Sequence, residues 1–260
     1  MTKINVLDYG FVELVDTMGS DLTVVNSARV SFGKRKEVMD ESDEKLINYL
    51  IKHEHTSPLR HPQLQFHIKC DEGTARQLYK TVVGCNFTPL SKDHAWNEIS
   101  SRYTDASNFD YYFPETFRKQ SQNNKQCSTD DIVEDISLEV LEKHGLSFLA
   151  EYSRTYDEDG NVEKYIVTPN DVYNHALETI KSCYAALTES GVAREQARNL
   201  LPLSFYTEFY WTASLQAIMN FIKLRDHDSS QYEIRQYAKA LKTIVEEKFP
   251  VTMKAFLQNG

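Results

Sequence analysis

A chain of 260 residues, 41% hydrophobic and 26% charged, has enough apolar material for a sizeable core, which excludes disorder as a description of the whole chain. Its formal net charge of -9 argues against a nucleic-acid binder that works by phosphate neutralisation, so any anionic ligand must meet a local cluster of Arg or Lys. No apolar run reaches bilayer length, and Cys70, Cys85, Cys127 and Cys183 form neither a Cys-x-x-Cys pair nor a disulfide framework, which predicts a cytoplasmic protein with reduced thiols and no membrane partner.

The chain opens with a strand-like stretch, Ile4 to Leu7, and a second apolar patch at Phe11, Val12 and Leu14. Leu22, Val25 and Ala28 fall three apart, as on one face of a short helix, and residues 33–37 read as a loop. Ser42 is the expected N-cap of a helix that buries Leu46, Ile47, Leu50 and Ile51 and ends near His53. Pro58 and Pro62 forbid continuation, and from Gln63 to Cys70 apolar and polar residues alternate as in a strand. Residues 73–83 read as helix and 84–93 as an irregular excursion. Between 104 and 170 the polar, Tyr-rich sequence predicts loops and one helix, about Asp131 to Lys143.

The last third is more strongly patterned. A helix is expected with Val172, Ala176, Ile180, Cys183, Tyr184 and Leu187 inward, ended by Gly191, then a short helix from Arg194 to Leu201. Phe205 to Thr212 alternate as a second strand, and Leu215, Ile218, Met219 and Ile222 return to helical period. A final helix, about Ser230 to Lys248, is expected to stop at Pro250. Without an internal repeat or linker, these elements predict a single α+β domain.

Chemistry is densest at Trp96-Asn97-Glu98-Ile99-Ser100-Ser101-Arg102-Tyr103, where Arg102 and the serine pair suit a phosphate. The same residues also read as a solvated turn with a helix cap. His53, His55 and His61 raise a zinc reading, which the lack of a Cys or acidic ligand at a recognised spacing disfavours; stacking or hydrogen bonding at a helix end, or plain surface exposure, is the better account. Arg76 beside Gln77, Arg198 and Arg225 are cations on otherwise apolar helices. Each alone reads as a helix-end charge, but three in an acidic protein point to an anion site. Cys70 and Cys183 fall on expected core faces, Cys85 and Cys127 lack an activating neighbour, and no Gly-rich phosphate loop is present.

These residues resemble the flavin-dependent thymidylate synthase family from end to end. Gly10-Phe11-Val12-Glu13-Leu14-Val15-Asp16 and Ala28-Arg29-Val30-Ser31-Phe32 look like its opening, and His55-Thr56-Ser57-Pro58-Leu59-Arg60-His61 with Phe66-His67-Ile68-Lys69 is similar to its flavin-contacting turn and strand. Asn97-Glu98-Ile99-Ser100-Ser101-Arg102-Tyr103 matches the end of its signature, and Leu201-Pro202-Leu203, Tyr206 to Thr212, Met219-Asn220-Phe221 and Leu224-Arg225 resemble its C-terminal half. The resemblance implies a mostly antiparallel sheet flanked by helices, and a homotetramer whose FAD and dUMP sites are shared between subunits. It also implies an enzyme that methylates dUMP with methylenetetrahydrofolate, using FAD reduced by NADPH. Gln77, Glu98, Ser100, Ser101, Arg102, Arg198 and Arg225 would hold dUMP, with Arg225 near the base as the catalytic residue and Arg102 and Ser100 near the phosphate. Ser31, His55, Ser57, Asn220 and Leu224 would face FAD, and no metal is implied.

The front half of the family signature, Arg-His-Arg, is missing. Its place is taken by Lys80-Thr81-Val82 when anchored on Arg76-Gln77, or by Leu90-Ser91-Lys92 when anchored on Ser100, which implies an insertion at about 85–95. Lys80 or Lys92 would then pair with a flavin or folate anion without the planar fork of Arg, and His94 stands near the lost imidazole. Ser214, Gln216 and Ser229 replace residue types usual on the flavin side, and residues 144–170 look like an added loop. Two other readings fit the same residues: a sister enzyme that hydroxymethylates a pyrimidine nucleotide, and a non-catalytic nucleotide-binding homologue.

Overall fold

The computed structural model describes residues 2–81, 95–152, 154–156 and 158–259. The elements begin with β1 (Lys3–Val6), β2 (Gly10–Met18), α1 (Asp21–Arg29), α2 (Glu41–Lys52), β3 (Gln63–Asp71), α3 (Glu72–Tyr79) and β4 (Trp96–Glu98). The middle of the chain forms β5 (Arg118–Gln120), β6 (Ser128–Ile132), α4 (Leu138–Lys143), α5 (Phe148–Tyr152), β7 (Arg154–Tyr156), β8 (Val162–Tyr165), α6 (Pro169–Glu189) and α7 (Arg194–Ala197). It closes with β9 (Tyr206–Ser214), α8 (Leu215–Arg225), α9 (Tyr232–Lys248) and α10 (Pro250–Asn259). These elements fall into two compact units, one of Met1–Ile99, Asp110–Tyr112 and Leu203–Gly260, the other of Ser100–Phe109 and Phe113–Pro202.

The first unit is built on a five-stranded sheet in the order β1-β2-β3-β9-β4, antiparallel at every pairing, with helices against it, as the α+β reading expects. Period-2 alternation puts Leu64, Phe66, Ile68 and Cys70 of β3 beside Phe209, Trp211 and Ala213 of β9 on one buried face. Helices α8 and α9 cover that face with Ile218, Phe221, Ile222, Ile234, Tyr237, Leu241 and Val245, in one core cluster that also takes in Val24, Val25 and Ile47. Each such side chain contributes about 1.5–3 kcal/mol by leaving water. The other face carries Gln65, His67, Lys69, Glu208 and Tyr210, where His67 stacks on Tyr210 at 4.8 Å and meets Glu208 at 3.2 Å.

Gly10 is required where it stands. A Cβ there would fall 1.9 Å from the Tyr237 hydroxyl, which donates to the Lys69 carbonyl at 2.9 Å.

Several expectations need correction. Asp40, not Ser42, caps α2: its carboxylate accepts from the Ser42 N–H, and Asp43 completes the capping box. Helix α3 ends at Tyr79, short of residue 83, and residues 82–94 lie outside the described residues. Helix α9 stops at Lys248 ahead of Pro250 as expected, but it is not the last, because Pro250 opens α10. Proline suits a first helical turn because its N–H is not needed there, and the buried Asp21 carboxylate accepts the next two N–H groups, of Val251 and Thr252, at 3.0 and 2.9 Å.

In the second unit, the helix expected over 131–143 is confined to α4, and Ser128–Ile132 instead pairs with β5. The segment 144–170, expected as loop, contains α5 and the β7–β8 hairpin. Helix α6 buries Leu177 and Tyr184, leaving Ala176 and Cys183 exposed, so Cys183 is not on a core face. The Tyr184 hydroxyl accepts from the Ala106 N–H at 3.3 Å.

Candidate active site

On the first unit, the residues expected to face a flavin lie on neighbouring elements. Ser31 sits in the 3-10 turn Val30–Phe32 that follows α1, exposed to solvent. Ser57 opens a second 3-10 turn, Ser57–Arg60, which is anchored by buried Pro58 and Leu59 and packs against both α1 and α8. His55, just before it, stacks on Tyr49 with ring centroids 5.7 Å apart, and His53 lies 4.4 Å from the same ring. The imidazoles therefore act as aromatic neighbours at the end of α2. Among the described residues, no group of His, Cys, Asp and Glu is arranged to hold a metal ion.

Helix α8 packs on the second of these turns. Leu215, Ala217, Ile218, Met219, Phe221 and Ile222 are buried, which turns Gln216, Asn220 and Leu224 to the opposite stripe at i, i+4 and i+8. The buried Oε1 of Gln216 has no hydrogen-bond partner. Neither has the buried Nε of Arg225, at the last position of the helix. Native proteins rarely leave such atoms unmet, so α8 has capacity for polar ligand groups at these two side chains, which lie on different sides of the helix. Lys80 caps α3 and is exposed, whereas Lys92 and His94 lie outside the described residues.

Two further residues expected at the dUMP site share this unit. Gln77, on α3, donates to the Gln231 side chain at 2.7 Å. Glu98, on the edge strand β4, accepts from Thr207 at 2.6 Å and from the Trp96 indole at 2.9 Å, so both carboxylate oxygens are oriented. Sequence reasoning passes over Thr207, Trp96 and Gln231 as orienting partners. Thr207 does leave a signal, a hydroxyl in the otherwise apolar inward row of β9.

The neighbouring acids shape the electrostatics. Burial, then the Glu98 carboxylate, pushes the Glu72 carboxyl up against the opposing pull of Arg76. Burial, then Asp71, Glu98 and Glu72, drives the Cys70 thiol well above its usual range, which leaves it inert as a nucleophile. Asp71 itself is buried and its carboxyl is pushed up by burial, although its Oδ1 caps α3 by accepting the Thr74 N–H at 2.9 Å; Oδ2 has no partner.

A raised carboxyl favours the fold below its ordinary value of 3.8 and loses that contribution as pH climbs through the folded value. Asp71→Asn keeps the cap and removes the charge. Thermal melts should therefore find the variant at least as stable as wild type at pH 7, with the difference closing as pH falls toward 4. A variant less stable at pH 7 than at pH 4, relative to wild type, contradicts this.

The remaining residues belong to the second unit. Ser100 opens a turn in which its carbonyl accepts the Tyr103 N–H at 2.9 Å, and exposed Arg102 lies with its guanidinium 5.3 Å from the Tyr103 ring. The Tyr103 carbonyl accepts from Arg194 at 3.3 Å, which ties that turn to the start of α7; half-buried Arg198 follows α7 in a 3-10 turn. Ser100, Ser101, Arg102 and Arg198 are thus carried on connected elements.

The family model described as thymidylate synthase complementing protein matches residues 13–251 of this chain. The chain belongs to that family. A flavin-dependent thymidylate synthase from Thermus thermophilus is 38% identical over 253 residues, covering 97% of this chain and 77% of the relative. The flavin-dependent thymidylate synthase of Thermosipho africanus is 36% identical over 258 residues, covering 98% and 94%. Among solved structures, a UMP/dUMP methylase from Streptomyces cacaoi bound with 5-Br dUMP superposes with a TM-score of 0.71 at 27% identity, over 99% of this chain and 98% of that one. Within this family of thymidylate synthase complementing proteins, the α+β fold is as expected. Among the described residues, no helix is long and apolar enough to cross a membrane.

Proposed function

We propose that this chain is a flavin-dependent thymidylate synthase, which converts dUMP to dTMP with methylenetetrahydrofolate as carbon donor and NADPH as reductant. The observation that carries the reading is the unmet hydrogen-bonding capacity of α8, at Arg225 Nε and Gln216 Oε1. An orphan guanidinium donor calls for a carbonyl or anionic acceptor, which a pyrimidine edge offers, and an orphan amide oxygen calls for a donor, which a flavin ring N–H offers. The stripe of half-buried Gln216 and Asn220 and exposed Leu224 on α8, with the turns holding Ser31 and Ser57, therefore fits an FAD. The relatives named as flavin-dependent thymidylate synthases, and a structural neighbour crystallised with a dUMP analogue, support the same assignment.

In this reading Arg225 holds and polarises the pyrimidine, with Gln77 and Glu98 positioning the nucleotide and Ser100, Ser101, Arg102 and Arg198 neutralising and orienting its phosphate. Ser31, His55, Ser57, Asn220 and Leu224 face the flavin, joined by Lys80 or Lys92 as cation. When bound, the flavin supplies the hydride that completes the transferred methyl group. No cysteine nucleophile is invoked. Residues 1–260 work as one functional domain in a cytoplasmic homotetramer whose sites are shared between subunits, with neither nucleic acid nor membrane as partner.

An anaerobic reaction containing FAD, NADPH, methylenetetrahydrofolate and dUMP, with product mass as readout, tests the proposal. Formation of dTMP is expected. A hydroxymethylated nucleotide would move the assignment to a sister enzyme, and no turnover with retained dUMP binding would leave a binding protein.

A further inference from the structure

The loop 30–35 carries two of the most exposed apolar side chains in the chain, Val30 at 69% and Phe32 at 79%. A free loop of this composition would lower its energy by folding Phe32 back onto the protein. Instead it is held outward by a junction beneath it. The carboxylate of Asp43, fully buried in the first turn of α2, receives both ends of the loop. At one end, Arg29 donates to Oδ1 through Nε at 2.8 Å and through Nη2. At the other, Lys36 donates to Oδ2 at 2.8 Å, beside the Asp40 N–H at 3.0 Å.

Further contacts make the junction rigid. The Asn26 side chain receives the Lys36 N–H and donates to the Lys36 carbonyl, both at 2.8 Å, as a neighbouring strand would. Lys36 also reaches Asp40, and Ser42 Oγ accepts from Arg29 at 3.2 Å. Inside the loop, Gly33 turns the chain at φ +64° and donates to the Val30 carbonyl at 2.9 Å.

Burying a carboxylate among two cations adds little net stability, since well-packed apolar residues usually serve as well. Its value here lies in shape: one side chain fixes the span between Arg29 and Lys36 and so sets the path of everything between them. We propose that Asp43 is a positioning residue for the flavin, stapling Arg29 to Lys36 so that the loop 30–35 is preformed to present Ser31, flanked by Val30 and Phe32, to the bound ring system. The inference rests on the reading of Ser31 as a flavin-facing residue. A stapled loop has its ordering cost met before the ligand arrives, and a loosened one must meet it on binding.

The experiment compares Lys36→Met, Lys36→Arg, Arg29→Lys and Asp43→Asn with wild type. Flavin affinity is read by quenching of FAD fluorescence, loop order by hydrogen exchange at Gly33 and Lys34, and global stability by thermal melts. Lys36→Met removes only the outer, partly exposed arm, so it decides the matter even where Asp43→Asn fails to fold. The expected result is faster exchange in the loop, FAD binding weaker by about ten-fold, little change in the melting temperature, and recovery of both in Lys36→Arg. Faster exchange with unchanged FAD affinity overturns the proposal, as does unchanged exchange in Lys36→Met and Arg29→Lys. Ser31→Ala and Phe32→Ala separate the two levels: if both bind FAD as wild type does, the placing of the loop at the flavin site is what has failed.

Discussion

Arg225→Ala should lower kcat/KM for dUMP about a hundred-fold, the loss expected when a preorganised cationic donor is removed from a half-buried site. The reason lies in the position of the side chain. It ends α8, where the helix's last carbonyls favour a cation, and its Nε is shut away from water without an acceptor. Its sequence neighbour Asp226 is engaged by Lys242 at 3.0 Å. Because the donor is unmet, its removal should leave the melting temperature unchanged or slightly higher. Arg225→Lys should recover only part of the activity, since an ammonium lacks the fork that spans two acceptors. Steady-state kinetics and dUMP titration calorimetry on both variants, with melts alongside, check the claim. A kcat/KM equal to wild type in Arg225→Ala would remove Arg225 from the site.

Trp211→Ala carries the largest expected effect on stability, about 4 kcal/mol. Trp211 is fully buried, sits in β9 between β3 and β4, and meets Phe66 at 6.2 Å and Phe221 at 6.3 Å. It joins the sheet to α8 at one point, so its loss opens a cavity that neither layer closes alone. In urea the midpoint should fall while the slope stays constant, and any folded fraction should still bind ligand, because no atom of Trp211 belongs to the proposed site. A midpoint within error of wild type would mean that the core repacks around the gap. Trp211 also pairs in register with Trp96, which stacks on Phe209 at 3.7 Å, so the short strand that presents Glu98 is held by the same seam.

Strands β3 and β9 and helices α8 and α9 are legible in the sequence because each buries one face and so prints its period directly on the residues. What escapes reading depends on distant partners. Strand β6, Ser-Thr-Asp-Asp-Ile, has no alternation and exists through its pairing with Arg118–Gln120. Helix α10 starts at a proline because a carboxylate some 230 positions earlier caps it. Helix α6 prints a broad apolar stripe but buries little of it, which is why Cys183 reads as a core residue and is not one. The candidate site shows the same division. Its residue types are visible as motifs, but the hydroxyl that orients Glu98 lies 109 residues away, and the unmet atoms of α8 follow from packing alone.

The central seam of the sheet has a consequence for biosynthesis. Residues 63–71 wait for residues 206–214 before β3 gains its second neighbour, and Asp21 waits for residues 251 and 252. A chain emerging from the ribosome therefore carries β1, β2 and β3 with an unpaired edge, and an apolar face that α8 and α9 do not yet cover, until residues 206–245 have been made. Nascent chains stalled before β9 should be the species that chaperones bind and that aggregates when expression is fast, whereas chains extended past β9 should close the seam in a single late step.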